Sequence, residues 1–111
     1  MSRVDDAEKL AELFKALSHP LRLKILALCS IGEHTSRELA RILGVSRPLV
    51  IAHLRVLLRA GLVTYRVVVD EEKMVVKKLY RAVDVDVCLT RRVLKSLAER
   101  LIGGSPGRST V

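Results

Sequence analysis

The sequence predicts a mainly α-helical domain carrying one small β-hairpin, and three observations carry that prediction. Apolar residues recur at helical spacing in separate stretches along the chain. Helix start and stop residues crowd between Thr35 and Pro48, around a lone Gly44. From Leu62 the pattern changes to β-branched runs broken by a polar turn. At 111 residues, half of them hydrophobic, the chain suits one packed domain. It is expected to span 1-102, with 103-111 (Gly103-Gly104-Ser105-Pro106-Gly107 and beyond) as a disordered tail.

The elements follow in order. Residues 5 to 17 form an amphipathic helix with Ala7, Leu10, Phe14 and Leu17 on one stripe, Leu13 beside it, and Asp5, Asp6 and Glu8 at its positive end. Pro20 opens a second helix reaching Ser30, with Leu21, Ile25 and Leu28 at core spacing and Gly32 ending it. Thr35-Ser36-Arg37-Glu38 fits a capping box ahead of a short helix, Ser36 to Leu43, in which Leu39, Ala40 and Leu43 face inward. Gly44 supplies a left-handed cap. Ser46 then caps a helix to about Ala60, with Pro48 in its first turn and Val50, Leu54, Leu57 and Leu58 inside. Leu62 to Val69 and Met74 to Val83 read as strands joined by Asp70-Glu71-Glu72-Lys73. Asp84 or Asp86 caps a last helix to about Ile102, burying Val87, Val93, Leu94, Leu97 and Leu101.

A short helix, a tight turn and a second helix make a helix-turn-helix, whose second helix fits a major groove; the hairpin behind it is a wing. Charge placement supports double-stranded DNA as partner. The net charge is +8, and residues 35 to 61 hold five arginines against one glutamate, which is half the excess. With Leu54 at the centre of the inner face, Pro48, Leu49, Ala52, Arg55, Val56 and Arg59 point outward. Ser46, Arg47, Leu49 and Ala52 are expected to meet base edges first, with Arg55 and Arg59, and Arg37 and Arg41 on the preceding helix, as phosphate clamps. For His53, a contact to phosphate or base and a half-buried position are equally open. In the wing, Arg66, Lys73, Lys77 and Lys78 are in reach of backbone, Lys73 and Lys77 being the best candidates beside the acidic tip. His19 stabilises the turn at Pro20, and His34 is a loop residue.

These residues resemble the ArsR-type winged helix-turn-helix repressors. The likeness lies in Leu17-Ser18-His19-Pro20-Leu21-Arg22-Leu23-Lys24-Ile25-Leu26, Ser36-Arg37-Glu38-Leu39-Ala40, Val45-Ser46-Arg47-Pro48, His53-Leu54, Leu57-Leu58 and Ala60-Gly61-Leu62-Val63, over residues 8 to 82. The resemblance implies a homodimer joined through the first and last helices on an inverted-repeat operator. Many members sense metal through a cysteine pair, but the matching positions here are Thr35 and Arg37, which are no soft ligands. A second family site matches Asp86, Cys88, Glu99 and Ile102, of which Ile102 cannot ligate. Asp86 reads more simply as a cap and Cys88 as a packed thiol. Accordingly no metal and no cofactor are expected, and Cys29 and Cys88 are read as packing residues rather than a redox pair.

The function expected is therefore a DNA-binding transcriptional regulator, a repressor, reading sequence or shape as a homodimer. The alternative is a winged-helix module for protein contacts within a transcription or replication assembly, favoured by the apolar Leu49, Ala52 and Val56. Arginines 47, 55 and 59 interleave with that strip, which favours DNA. An enzyme is not expected: there is no phosphate-cradling glycine loop, no His-x-x-x-His pair and no Cys/His pair in one element. No stretch approaches the roughly 18–20 apolar residues of a membrane span, and the opening Met1-Ser2-Arg3-Val4-Asp5-Asp6 is no secretory signal, so a cytoplasmic location is expected. The chain also lacks both Asn and Gln, a tendency of hyperthermophile proteins that additionally removes the bidentate amide contact to adenine.

Overall fold

The computed structural model describes residues 6–84 and 88–103. Helix α1 (Ala7–Ala16), α2 (Pro20–Ile31), α3 (Ser36–Leu43) and α4 (Arg47–Arg59) precede strands β1 (Val63–Asp70) and β2 (Val75–Ala82), and α5 (Arg91–Gly103) follows. The chain divides into two compact units, Leu13–Asp84 and one made of the segments on either side. None of the described helices is long and apolar enough to cross a membrane.

Local chemistry sets these boundaries. The Asp6 carboxylate accepts the Lys9 amide at 2.7 Å at the head of α1. His19 caps α2 through Nδ1, which accepts the Leu21 amide at 3.1 Å, so this histidine does stabilise the turn at Pro20. In the Leu13–Asp84 unit, α3 packs on α4, α2 on α4 and β2, and α4 on β1. Its core gathers Ile25, Leu39, Val50, Leu54, Leu57 and Leu62, all under 2% exposed. Each such side chain contributes about 1.5–3 kcal/mol on leaving water. This core fixes the face that α4 turns inward and therefore the face it leaves out.

The strands pair antiparallel, with Tyr65 opposite Tyr80, Val68 opposite Lys77 and Asp70 opposite Val75. Met74 closes the turn with φ 54, an uncommon conformation for a residue with a side chain. His34 is more than a loop residue. Its amide and carbonyl exchange hydrogen bonds with Tyr80 at 3.0 and 2.8 Å, adding an isolated bridge on the other edge of β2.

Three expectations are corrected around the last helix. It starts at Arg91 rather than soon after Asp84, because the Thr90 hydroxyl accepts the Val93 amide at 3.2 Å and caps it there. Asp86 and Val87 lie outside the described residues, Asp84 is exposed, and Cys88 is exposed rather than packed. Leu94 and Leu101, expected to bury, are exposed in the single chain, as is Phe14 on α1, while Ala16 takes a buried position instead. The helix also takes in Gly103, and the expected tail from residue 104 onward lies outside the described residues.

Candidate nucleic-acid interface

The capping box forms as its sequence requires. Thr35 Oγ1 accepts the Glu38 amide at 3.1 Å, and Glu38 Oε1 accepts the Thr35 amide at 2.8 Å. That hydrogen bond holds the Glu38 carboxyl below the usual carboxylate range. Gly44 ends α3 at φ 68, a left-handed conformation that disfavours any side chain. The chain then turns in three residues, and Ser46 Oγ accepts the Leu49 amide at 3.3 Å to start α4. A further contact joins the two helices: the Arg47 Nε donates to Ser36 Oγ at 2.8 Å, from the first residue of α4 to the first residue of α3.

On α4 the two faces separate cleanly. Val50, His53, Leu54 and Leu57 are buried, while Arg47, Pro48, Leu49, Ala52, Arg55 and Arg59 are exposed and Val56 is half-buried. Arg37 and Arg41 are exposed on α3, and Ser46 is exposed at the turn. The expected interface residues of the helix-turn-helix thus reach solvent, His53 excepted. Tyr80, buried under this region, feels the positive charges of Arg47 and Arg55, although burial dominates and raises its phenol pKa.

His53 turns inward. Its Nδ1 accepts from Arg22 Nε at 3.1 Å, and its ring lies 4.4 Å from that of His19. Arg22 also donates through Nη1 to the Lys15 and Ala16 carbonyls at 3.3 and 3.4 Å, at the end of α1. Burial first, then the positive fields of His19 and Arg22, lower the His53 pKa and favour the neutral ring. The structure therefore resolves the two positions left open for this residue in favour of burial. Arg22 was not singled out from the sequence. Its sequence signal is its place three residues after His19, the N-cap of α2, a spacing that brings two side chains together at a helix start.

Wing cations divide into two kinds. Arg66 donates to both Glu33 oxygens, Nε at 2.7 Å and Nη2 at 2.9 Å, and this pairing lowers the Glu33 pKa. Lys78 Nζ sits 4.7 Å over the Tyr65 ring. Lys73 and Lys77 are exposed and, among the described residues, in no ion pair. The contacts of Glu33 and Ser36 carry no sequence signal, since each meets its partner across a long or irregular stretch of chain.

A capped helix-turn-helix with an outward basic face and a hairpin behind it defines the class, a winged helix-turn-helix transcriptional regulator. Residues 19–65 match the family model described as bacterial regulatory protein, arsR family. An uncharacterized HTH-type transcriptional regulator of Methanocaldococcus jannaschii is 36% identical over 94 residues, covering 85% of this chain and 94% of the relative. A probable mercury resistance operon repressor of Streptomyces lividans is 43% identical over 56 residues, 50% of this chain and 45% of the relative. Among solved structures, a homodimeric winged helix-turn-helix DNA-binding domain from Mycobacterium bovis, a possible ArsR-family regulator, superposes with a TM-score of 0.59. It is 25% identical over 87% of this chain and 79% of its own. The chain belongs to the arsR family of regulatory proteins.

Proposed function

We propose that this regulator is a homodimeric repressor that lays the exposed face of α4 in the major groove of duplex DNA. The carrying observation is that face itself. Pro48, Leu49, Ala52, Arg55 and Arg59 are all exposed on one face of a helix whose opposite side is buried in the core, and Arg47 is exposed at its first turn. Arg55 and Arg59, with Arg37 and Arg41, clamp phosphates; Leu49 and Ala52 offer apolar contact to thymine methyls; Lys73 and Lys77 touch the backbone from the wing. Dimerisation through α1 and α5 is supported by the exposed Phe14, Leu94, Leu101 and Ile102, which a two-fold partner would cover. Cys29 is buried with its thiol pushed up to about 11, which leaves it protonated at neutral pH.

Gel-shift titration across salt tests the reading. Affinity for duplex DNA is expected to fall steeply with log salt, and Arg59→Ala to reduce that slope by about one unit. Salt-independent binding, or a slope unchanged by Arg59→Ala, would refute this docking. Sedimentation at micromolar concentration is expected to show a dimer. The missing Asn and Gln further support a source that lives hot, with a melting midpoint above the roughly 45–65 °C of mesophile domains.

A further inference from the structure

We propose that Ser36 is a positioning residue for base recognition: its buried hydroxyl holds Arg47 so that this arginine presents its two terminal nitrogens to a guanine. The inference rests on the DNA docking above and adds to it a specific base reader and the group that aims it. Ser36 is only 6% exposed, whereas Arg47, whose Nε it binds at 2.8 Å, is exposed. Guanidinium is a rigid planar fork. With Nε committed to Ser36, the side-on pair of donors that includes Nε is closed, and the end-on pair of Nη1 and Nη2 remains. Guanine offers O6 and N7 in the major groove, which accept such a pair.

Three further facts single out Arg47. It is the first residue of α4, at the end of a recognition helix that meets base edges. Helix α4 contains no Lys, Asn or Gln, so arginine is its available bidentate reader. A free arginine side chain loses much rotamer freedom when it docks, and a hydroxyl that fixes it beforehand removes part of that cost. A phosphate would accept the same donors, but its contact is blind to sequence, and that difference decides the test.

The full chain is used to select bound duplexes from a library with a randomised centre, at fixed salt, as wild type, Ser36→Ala and Arg47→Lys. Wild type is expected to enrich one G·C pair in each half-site by about 5- to 150-fold, the range of one good bidentate contact. Both variants are expected to lose at least about threefold of that preference at that position alone. Affinity of Ser36→Ala for mixed-sequence DNA is expected to stay within about twofold of wild type, with a melting midpoint close to it. Ser36→Cys, similar in size with a weak acceptor, carries the test should the alanine variant not fold. An unchanged base preference in the Ser36 variants overturns the proposal. So does an equal loss across all sequences, which would make Ser36 a brace and Arg47 a phosphate contact. Wild type that binds DNA with a steep salt slope but no base preference overturns this inference while leaving the docking intact; absence of salt-dependent binding overturns the docking itself.

Discussion

The helix-turn-helix and the wing hold similar numbers of basic residues yet use them differently. Residues 35 to 61 carry five arginines and one acid; residues 62 to 83 carry five bases and three acids. On α3 and α4 the arginines are displayed on surfaces whose opposite sides are buried. In the wing, Arg66 is paired with Glu33, Lys78 lies over Tyr65, and the tip is acidic. Charge count alone therefore does not rank two surfaces for phosphate. What ranks them is whether each cation is already satisfied by its own fold and whether a core holds it in place.

The largest expected contrast is in stability. Leu57 is 0% exposed, and Leu57→Ala should cost about 2–5 kcal/mol by leaving a cavity behind the recognition helix. Val69 in the wing is 60% exposed, and Val69→Ala should stay within about 0.5 kcal/mol. Denaturant midpoints for the two variants check this. Similar losses at both sites would mean that the wing shares the core after all.

The same contrast explains what was legible in the sequence. The helix-turn-helix is local: Thr35 with Glu38, Gly44, and Ser46 with Leu49 each act within a few residues, so pattern alone located them. The exposed face of α4 followed from helical period. The pairings that tune the site are not local. Glu33 meets Arg66 across 33 residues, Arg22 meets His53 across 31, and Ser36 meets Arg47 across the turn. No periodicity encodes such contacts, because they arise only when separate elements pack. The start of α5 was missed for a different reason. Asp84 and Asp86 offer capping carboxylates in the sequence, but the hydroxyl of Thr90 caps the helix that forms.

A pH dependence comes next in size and centres on His53 of α4. His53 sits on α4 with its pKa lowered by burial and by the fields of His19 and Arg22. In the unfolded chain it titrates near its ordinary value of about 6.5. The fold therefore keeps its full His53 contribution above that value and loses it as pH falls below 6.5 towards the lowered folded value. A proton on Nδ1 would also end the hydrogen bond from Arg22 that links α4 to the carbonyls closing α1. Melting midpoints between pH 7.5 and 5 should fall for wild type and fall less for His53→Gln, whose amide oxygen can still accept from Arg22. Parallel curves for the two proteins would show that this histidine does not set the acid limit.

The smallest effect separates pairing from placement in the wing. The Glu33–Arg66 bridge is exposed, and such pairs add little to stability. Glu33→Gln should therefore leave the melting midpoint where it is. It should, however, release Arg66 for phosphate, steepening the salt dependence of DNA binding by about one unit. Arg66→Ala alone should change the slope little, because that charge is already engaged. The Glu33→Gln/Arg66→Ala double variant should return to the wild-type slope, which distinguishes release of Arg66 from the mere loss of a repelling carboxylate. A slope that stays steep in the double variant would assign the effect to Glu33 itself. No change in any of the three would mean that the strand carrying Arg66 stands away from the duplex, and that geometry rather than pairing keeps it silent.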